Sequence, residues 1–292
     1  MNRYRTALTL MRIPFSIYLM PLFWFALSTL AAFDVWRALA VFVILHLLVY
    51  PASNGYNSYY DRDEGSIGGL KQPPKVTQQL LHLVWLFDVL AVALSLLLSP
   101  LFAALVLLYL LISKAYSYSG IRLKKYAILS TVVVTFFQGA FTYGMVQVGI
   151  GLTAQEVLQT PNLWFALVST LFLCGSYPLT QIYQHNEDRR RGDRTLSLLL
   201  GIKGTYLFAA VSLAAGAGLL LWLYFSMHQV RNIFIFLICT APILYFFSGW
   251  VLRAQRDMRA VNYDNTMQMN KISSICISIA FITITMLRFL TD

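Results

Sequence analysis

Asn54, Asn57, Asp61 and Glu64 recur at steps of three and four residues where a long apolar run gives way to polar sequence. On a continuing helix such residues share one face, and they would aim oxygen ligands in one direction at a helix end. Hard oxygen ligands gathered in this way suit Mg2+ bound to a phosphate. A second set, Gln181, Gln184 and Asp188, repeats the spacing in a later polar stretch, beside Glu187 and the run Arg189-Arg190-Arg191. Polar residues also cap helices and fill loops, and the three arginines are equally compatible with ordinary loop charge. Capping alone does not account for amides and acids clustered directly at the end of an apolar run. The Gly68-Gly69 pair frees the backbone beyond the first set.

The elements that carry these sets are apolar to a degree that decides the fold class. Of the 292 residues, 58% are hydrophobic and only 12% are charged, against about 25% charged in an average soluble domain. The mean hydropathy is +0.65. A helix crossing a bilayer needs about 20 apolar residues. The charge-poor windows fall at 13–33, 38–52, 76–113, 126–149, 163–183, 205–227, 233–252 and 272–287. The 76–113 window is too long for one helix, and Ser99-Pro100 at its middle reads as a tight turn between two, since proline suits a helix start. The expectation is an all-α integral membrane protein of nine transmembrane helices, a single domain over residues 1–292. A soluble enzyme, a disordered chain and a secreted disulfide scaffold are excluded. Cys174, Cys239 and Cys276 lie in apolar stretches without metal spacing and read as inert small hydrophobes.

Nine spans put the N-terminus and the even-numbered connections on one side. All of the 22 lysines and arginines fall there except Arg37, Arg231 and Arg288. The positive-inside rule therefore predicts a cytoplasmic N-terminus in a multi-pass inner-membrane protein. The net charge of +10 is thus topological, and no nucleic-acid partner is expected. Chemistry belongs at the cytoplasmic helix ends, because the opposite connections are nearly bare. Arg288, near the end of the last span, is placed to snorkel to the interface.

Several polar residues stand inside spans. Asp88 carries an insertion cost of about 2.5–3.5 kcal/mol, so it faces either a cavity or a partner on another helix. Gln138 and Tyr143 are candidates for an acceptor pocket, with helix-to-helix hydrogen bonding as the alternative. His46 and His82 are expected to hydrogen-bond in the core. The stretch from Arg253 to Lys271, with Asp257, Tyr263, Asp264 and Asn265, reads as a solvated linker or as a flap that helps close the site.

Asn57-xxx-Asp61 and Asp188-xxx-Gly192-Asp193-Arg194-Thr195-Leu196 resemble the two polyprenyl-diphosphate motifs of the UbiA superfamily of intramembrane prenyltransferases. Tyr116-Ser-Tyr118-Ser-Gly-Ile-Arg122-Leu-Lys124-Lys125 is similar to that family's connection between the fourth and fifth spans. Met11-Arg12-Ile-Pro14 is similar to its approach to the first helix. The resemblance implies a helix bundle around a central cavity, and Mg2+-dependent transfer of an isoprenyl group from a prenyl diphosphate to a lipophilic acceptor, often aromatic, within the bilayer. It implies Asp61, Asp188 and Asn57 as catalytic residues and Asn57, Asp61, Glu64, Gln184 and Asp188 as metal ligands. Arg122, Lys124, Lys125, Arg194 and Tyr116 would contact the diphosphate, and Asp88, Gln138 and Tyr143 the acceptor or cavity. A monomer is expected.

The chain departs from the family pattern where Ser58, Gly65 and Gln184 stand in place of acids. Amides ligate Mg2+ through oxygen but bring no charge, and Asp63 and Glu64 are candidates to take over the missing positions. These departures keep a rival reading open: a non-enzymatic isoprenoid or lipid carrier on the same fold. A transporter with an ion site at Asp88 is a third reading.

Overall fold

The computed structural model describes residues 3–291 and is all-helical, with an isolated bridge between Ile67 and Leu70 as the β-type pairing among them. Nine helices of the described residues are long and apolar enough to cross a membrane: α1 (Arg3–Ser28), α2 (Val35–Asp61), α3 (Gln78–Leu98), α4 (Pro100–Ser117), α5 (Ala127–Ile150), α6 (Thr160–Gln181), α7 (Leu196–Ser226), α8 (Val230–Arg256) and α9 (Tyr263–Leu290). All nine predicted spans are present, two of them from the 76–113 window. The helices overrun them because charged and amide residues at their ends stay helical where hydropathy has already fallen.

Local chemistry sets the starts. Ser99 Oγ accepts from Phe102 N with Pro100 in the first turn, so α3 and α4 form the expected tight hairpin. Asp34 accepts from Trp36 N and Arg37 N to cap α2, and Thr195 accepts from Leu198 N to cap α7. Such caps satisfy donors that the helix itself leaves unpaired.

Packing closes the bundle. α6 lies along both α5 and α7, α8 along α9, and α9 returns to α1. Gly139, in α5, permits the α5–α6 approach, since a Cβ there would stand 2.7 Å from Thr170 Cα. Arg288 donates to the carbonyls of Leu30 and Ser28, so it ties the end of α9 to the end of α1. Two helices contain π-helical segments, Ile44–Val49 in α2 and Phe137–Phe141 in α5. The cysteines are free and half-buried.

The polar residues inside the spans mostly resolve into packing. Asp88 forms a buried ion pair with Lys114 of α4 at 2.6 Å. Tyr143 donates to Asn162 and meets Thr29 and Gln147 in a buried network between α1, α5 and α6. His46 is buried, bonded through Nδ1 to the Ser16 carbonyl and stacked on Phe42. His82 departs from its expected core place: it is exposed on α3, a helix with a narrow buried stripe.

Candidate functional site

α2 stays helical through Asp61 and stops there, because Arg62 adopts the left-handed conformation (φ 49°). Asn54, Asn57 and Asp61 therefore share the predicted face. Glu64 lies beyond the break, exposed and off that face. α6 ends at Gln181, and a short helix, His185–Arg191, follows with Gln184 at its N-cap. Arg12, Arg62 and Arg122 are three of the four described non-glycine residues with positive φ: Arg62 ends α2, Arg12 bonds to the carbonyls of Asn54 and Gly68, and Arg122 to Asp193. Backbone strain of this kind costs on the order of 1–3 kcal/mol and gathers at functional sites.

Asn57 and Asp61 of the first set and all three residues of the second face one cavity of about 170 Å³, walled also by Asp63, Tyr116, Lys124, Glu187, Arg191, Asp193 and Arg12 among others, while Asn54 lines only a second, larger cavity. Lys124 Nζ stands 2.6 Å from Asp61 Oδ1 and 3.5 Å from Asp193 Oδ2. Arg122 donates twice to Asp193, at 3.0 and 2.9 Å, and this pairing raises its pKa further. Arg191 reaches Asp63 at 2.5 Å and Glu187 at 2.7 Å. Burial raises the Asp63 carboxyl, with Arg191 pulling the other way. Asp188 accepts from Thr195 Oγ1 at 3.1 Å. Burial pushes its carboxyl up to about 6, the Thr195 hydrogen bond opposing. Ser117 donates to Asn57 Oδ1 at 2.9 Å, which fixes the amide, and Gln184 donates through Nε2 to the Ser66 carbonyl. That bond leaves the Gln184 carbonyl oxygen available as an acceptor.

Directly beneath lies a larger, mainly apolar cavity of about 410 Å³, lined from α1, α2, α4, α5, α6 and α9, with single contacts from α7 and α8. The two cavities share Arg12, Asn57, Gly68, Tyr116, Tyr177, Thr180 and Gln184. Arg12 bridges walls as well, donating to the carbonyls of Gly68 and Asn54. At the same junction the hydroxyls of Tyr116 and Tyr177 lie 2.7 Å apart. The larger cavity is lined by Gln138 but by neither Asp88 nor Tyr143.

The site thus gathers Asn57, Asp61, Gln184, Asp188, Lys124 and Tyr116, with Arg122 reaching it through Asp193. It leaves Lys125 and Arg194 exposed outside the wall, as it does Glu64. Ser58 is buried and donates to the Leu10 carbonyl of α1, away from the cavity. Asp63, a candidate to take over a missing acid position, lies on the wall, and Arg12, Tyr177, Glu187, Arg191 and Asp193 join it without having been singled out as site residues. The Arg191–Glu187 spacing of four residues was the available signal for one of these pairs.

A sequence model of the UbiA prenyltransferase family matches residues 18–272. The chain belongs to that family. Among solved structures it is similar to a UbiA homolog from Archaeoglobus fulgidus bound to DMAPP and Mg2+, with 15% identity and a TM-score of 0.67 over 98% of this chain and 100% of the other. It is similar to an apo UbiA homolog from Aeropyrum pernix K1, with 18% identity and a TM-score of 0.65 over 93% and 98%. A third similar structure concerns digeranylgeranylglyceryl phosphate synthase, with 17% identity and a TM-score of 0.59 over 99% and 100%. At these identities the likeness shows the UbiA fold. No curated protein sequence matches the chain.

The donor chemistry of the polar cavity fits Mg2+. Five carboxylates face three cations across its wall, and the remaining donors are hard amide and hydroxyl oxygens. Among the described residues no three acids, histidines or cysteines stand close enough to hold a metal ion by themselves. Such an ion would need oxygens from a bound ligand to complete its shell.

Proposed function

We propose that this protein transfers an isoprenyl group from a prenyl diphosphate to a lipophilic acceptor inside the membrane. The observation that carries the reading is the joining of a small charged cavity to a larger apolar one through a shared wall. A prenyl diphosphate has the same two-part chemistry. The relatives bound to DMAPP or GPP with Mg2+ support the donor class and the metal.

In this reading Asp61 and Asp188 are metal ligands, assisted by Asn57 and Gln184. Bound Mg2+ would supply charge neutralisation for the leaving diphosphate. Arg12, Lys124 and Arg191 add fixed positive charge to the same wall, and Arg122 orients Asp193 behind it. Preorganised charge of this kind stabilises a bond breaking with its electron pair leaving on the diphosphate oxygen. The allylic carbon would then sit at the Tyr116–Tyr177 junction, beside the tail cavity. An acceptor electron pair forms the new bond there, and the acceptor loses a proton. Gln138 offers a polar contact to the acceptor. The distribution of basic residues supports a cytoplasmic N-terminus, with the charged cavity on that side.

Release of inorganic pyrophosphate from prenyl diphosphates of several lengths, with and without Mg2+, tests the reading. Metal-dependent release with a prenylated product is the expected result. Tight donor binding without turnover would overturn it in favour of an isoprenoid carrier. The third reading loses its footing, since Asp88 is spent on Lys114.

A further inference from the structure

The carboxylates of the polar cavity are unequally supplied with counter-charge. Asp61 and Asp193 share Lys124, and Asp193 has Arg122 in addition. Asp63 and Glu187 are held by the two arms of one guanidinium, that of Arg191. Among the described residues Asp188 is the cavity acid that forms no ion pair, its partner being a hydroxyl.

Arg191 therefore occupies a particular place. Asp63 belongs to the loop after α2 and Glu187 to the helix after α6, so the guanidinium cross-links the two acidic segments. The two segments lie in direct contact: a Cβ at Gly65 would lie 2.6 Å from Glu187 Oε2. A planar guanidinium with several donors, always charged, does here what a bridging divalent ion does between carboxylates. The charge left for a mobile cation is centred on Asp188.

We propose that Arg191 is a built-in counter-cation that bridges the two acidic loops, so that the donor is bound with one divalent ion, seated at Asp188. This rests on the prenyl-diphosphate reading above. As the diphosphate arrives, Arg191 exchanges part of its contact with Asp63 and Glu187 for phosphate oxygens and remains the cross-link. Without Arg191, Asp63 and Glu187 would face each other with no direct ion-pair partner, and the pair would recruit a second ion.

The test counts metal directly. Purified full-length protein is loaded with a prenyl thiolodiphosphate, which is cleaved very slowly, and titrated with Mn2+ followed by electron paramagnetic resonance. The wild type is expected to bind one Mn2+ per chain, Arg191→Met two, and Arg191→Lys one. Calorimetry with inorganic pyrophosphate in EDTA supplies a second readout, in which Arg191→Met should weaken metal-free binding roughly ten- to hundredfold. The wild-type count needs no variant to fold. Two Mn2+ in the wild type with the analogue bound overturns the assignment of Arg191 alone. An analogue that does not bind the wild type, with or without metal, overturns the prenyl-diphosphate reading and this inference with it.

Discussion

Lys124 Nζ lies 2.6 Å from Asp61 Oδ1, a pair with side chains only 10% and 12% exposed that pins the α4–α5 connection to the end of α2. Removing one partner of a buried pair leaves an uncompensated charge, at a cost of about 3–5 kcal/mol. Lys124→Met is therefore expected to lower thermal stability in detergent and to cut pyrophosphate release by at least about a hundredfold. Lys125→Ala, at the exposed neighbour, should leave both within about twofold. Equal losses in the two variants would contradict the placement of the lysines.

The raised Asp188 carboxyl gives a signed pH dependence. Its folded-state value of about 6 exceeds the ordinary aspartate value of about 3.9, so the donor-free fold holds this proton to higher pH than the unfolded chain. The contribution of Asp188 to stability is therefore fully present below about pH 4 and is lost as pH rises through about 6. Asp188→Asn should raise the melting temperature of the donor-free protein at pH 7 and change it little at pH 4. Metal-dependent donor binding needs the ionised form and should weaken as pH falls below about 6. A melting difference independent of pH would refute the assignment.

Gln184 donates to the Ser66 carbonyl and lends the cavity an oxygen without charge. The donor-free wild type should accordingly bind Mg2+ weakly, with the ion entering mainly with the diphosphate. Gln184→Asp is expected to tighten donor-free Mg2+ binding by about tenfold or more. Isothermal calorimetry showing tight binding in the wild type, unchanged in the variant, would be inconsistent with this. An acid at Ser58 should not have that effect, because Ser58 faces α1.

The Asp88–Lys114 pair lies away from both cavities, and Lys114 also stands over the rings of Tyr56 and Trp85. Asp88→Ala should destabilise the bundle by about 3–5 kcal/mol. Asp88→Leu combined with Lys114→Met should recover most of that loss, with turnover per folded molecule close to wild type. Thermal unfolding and activity measured on the same preparations separate the two effects. Loss of turnover in a stable double variant would return Asp88 to the site.

Phe25 and Phe281 meet at 4.6 Å and are the lining residues furthest along α1 and α9 from the polar cavity. They form the floor of the apolar cavity. Phe281→Ala should shift donor preference toward longer isoprenyl chains at some cost in stability, about 3–5 kcal/mol for a fully buried phenylalanine. Competition between donors of different length reads the shift directly.

The nine helices and the Ser99-Pro100 hairpin were legible because apolar length, proline and serine act locally. The shared face of Asn54, Asn57 and Asp61 was legible for the same reason. Helix ends were less so: α2 runs past the predicted end at residue 52, where Asn57 is bonded to Ser117 and Ser58 to the Leu10 carbonyl inside the bundle. The break at Arg62, which removes Glu64 from that face, has no signature in residue type. Cross-loop pairs such as Arg191–Asp63 join residues 128 positions apart, and no local pattern announces them. Asp88 alone leaves cavity and partner both open, and the opposite charge of Lys114 on the neighbouring helix was the unused signal for the pair.

The π-helical segment Ile44–Val49 precedes the whole polar face of α2. A π-bulge adds one residue to a turn, and one residue of an α-helix is about 100° of rotation. The orientation of Asn54, Asn57 and Asp61 is therefore a matter of counting: with every residue kept, winding 44–49 as regular α-helix would turn all three by about 100° away from the cavities they line. The chemistry of this site is held in phase by one widened turn that touches none of it.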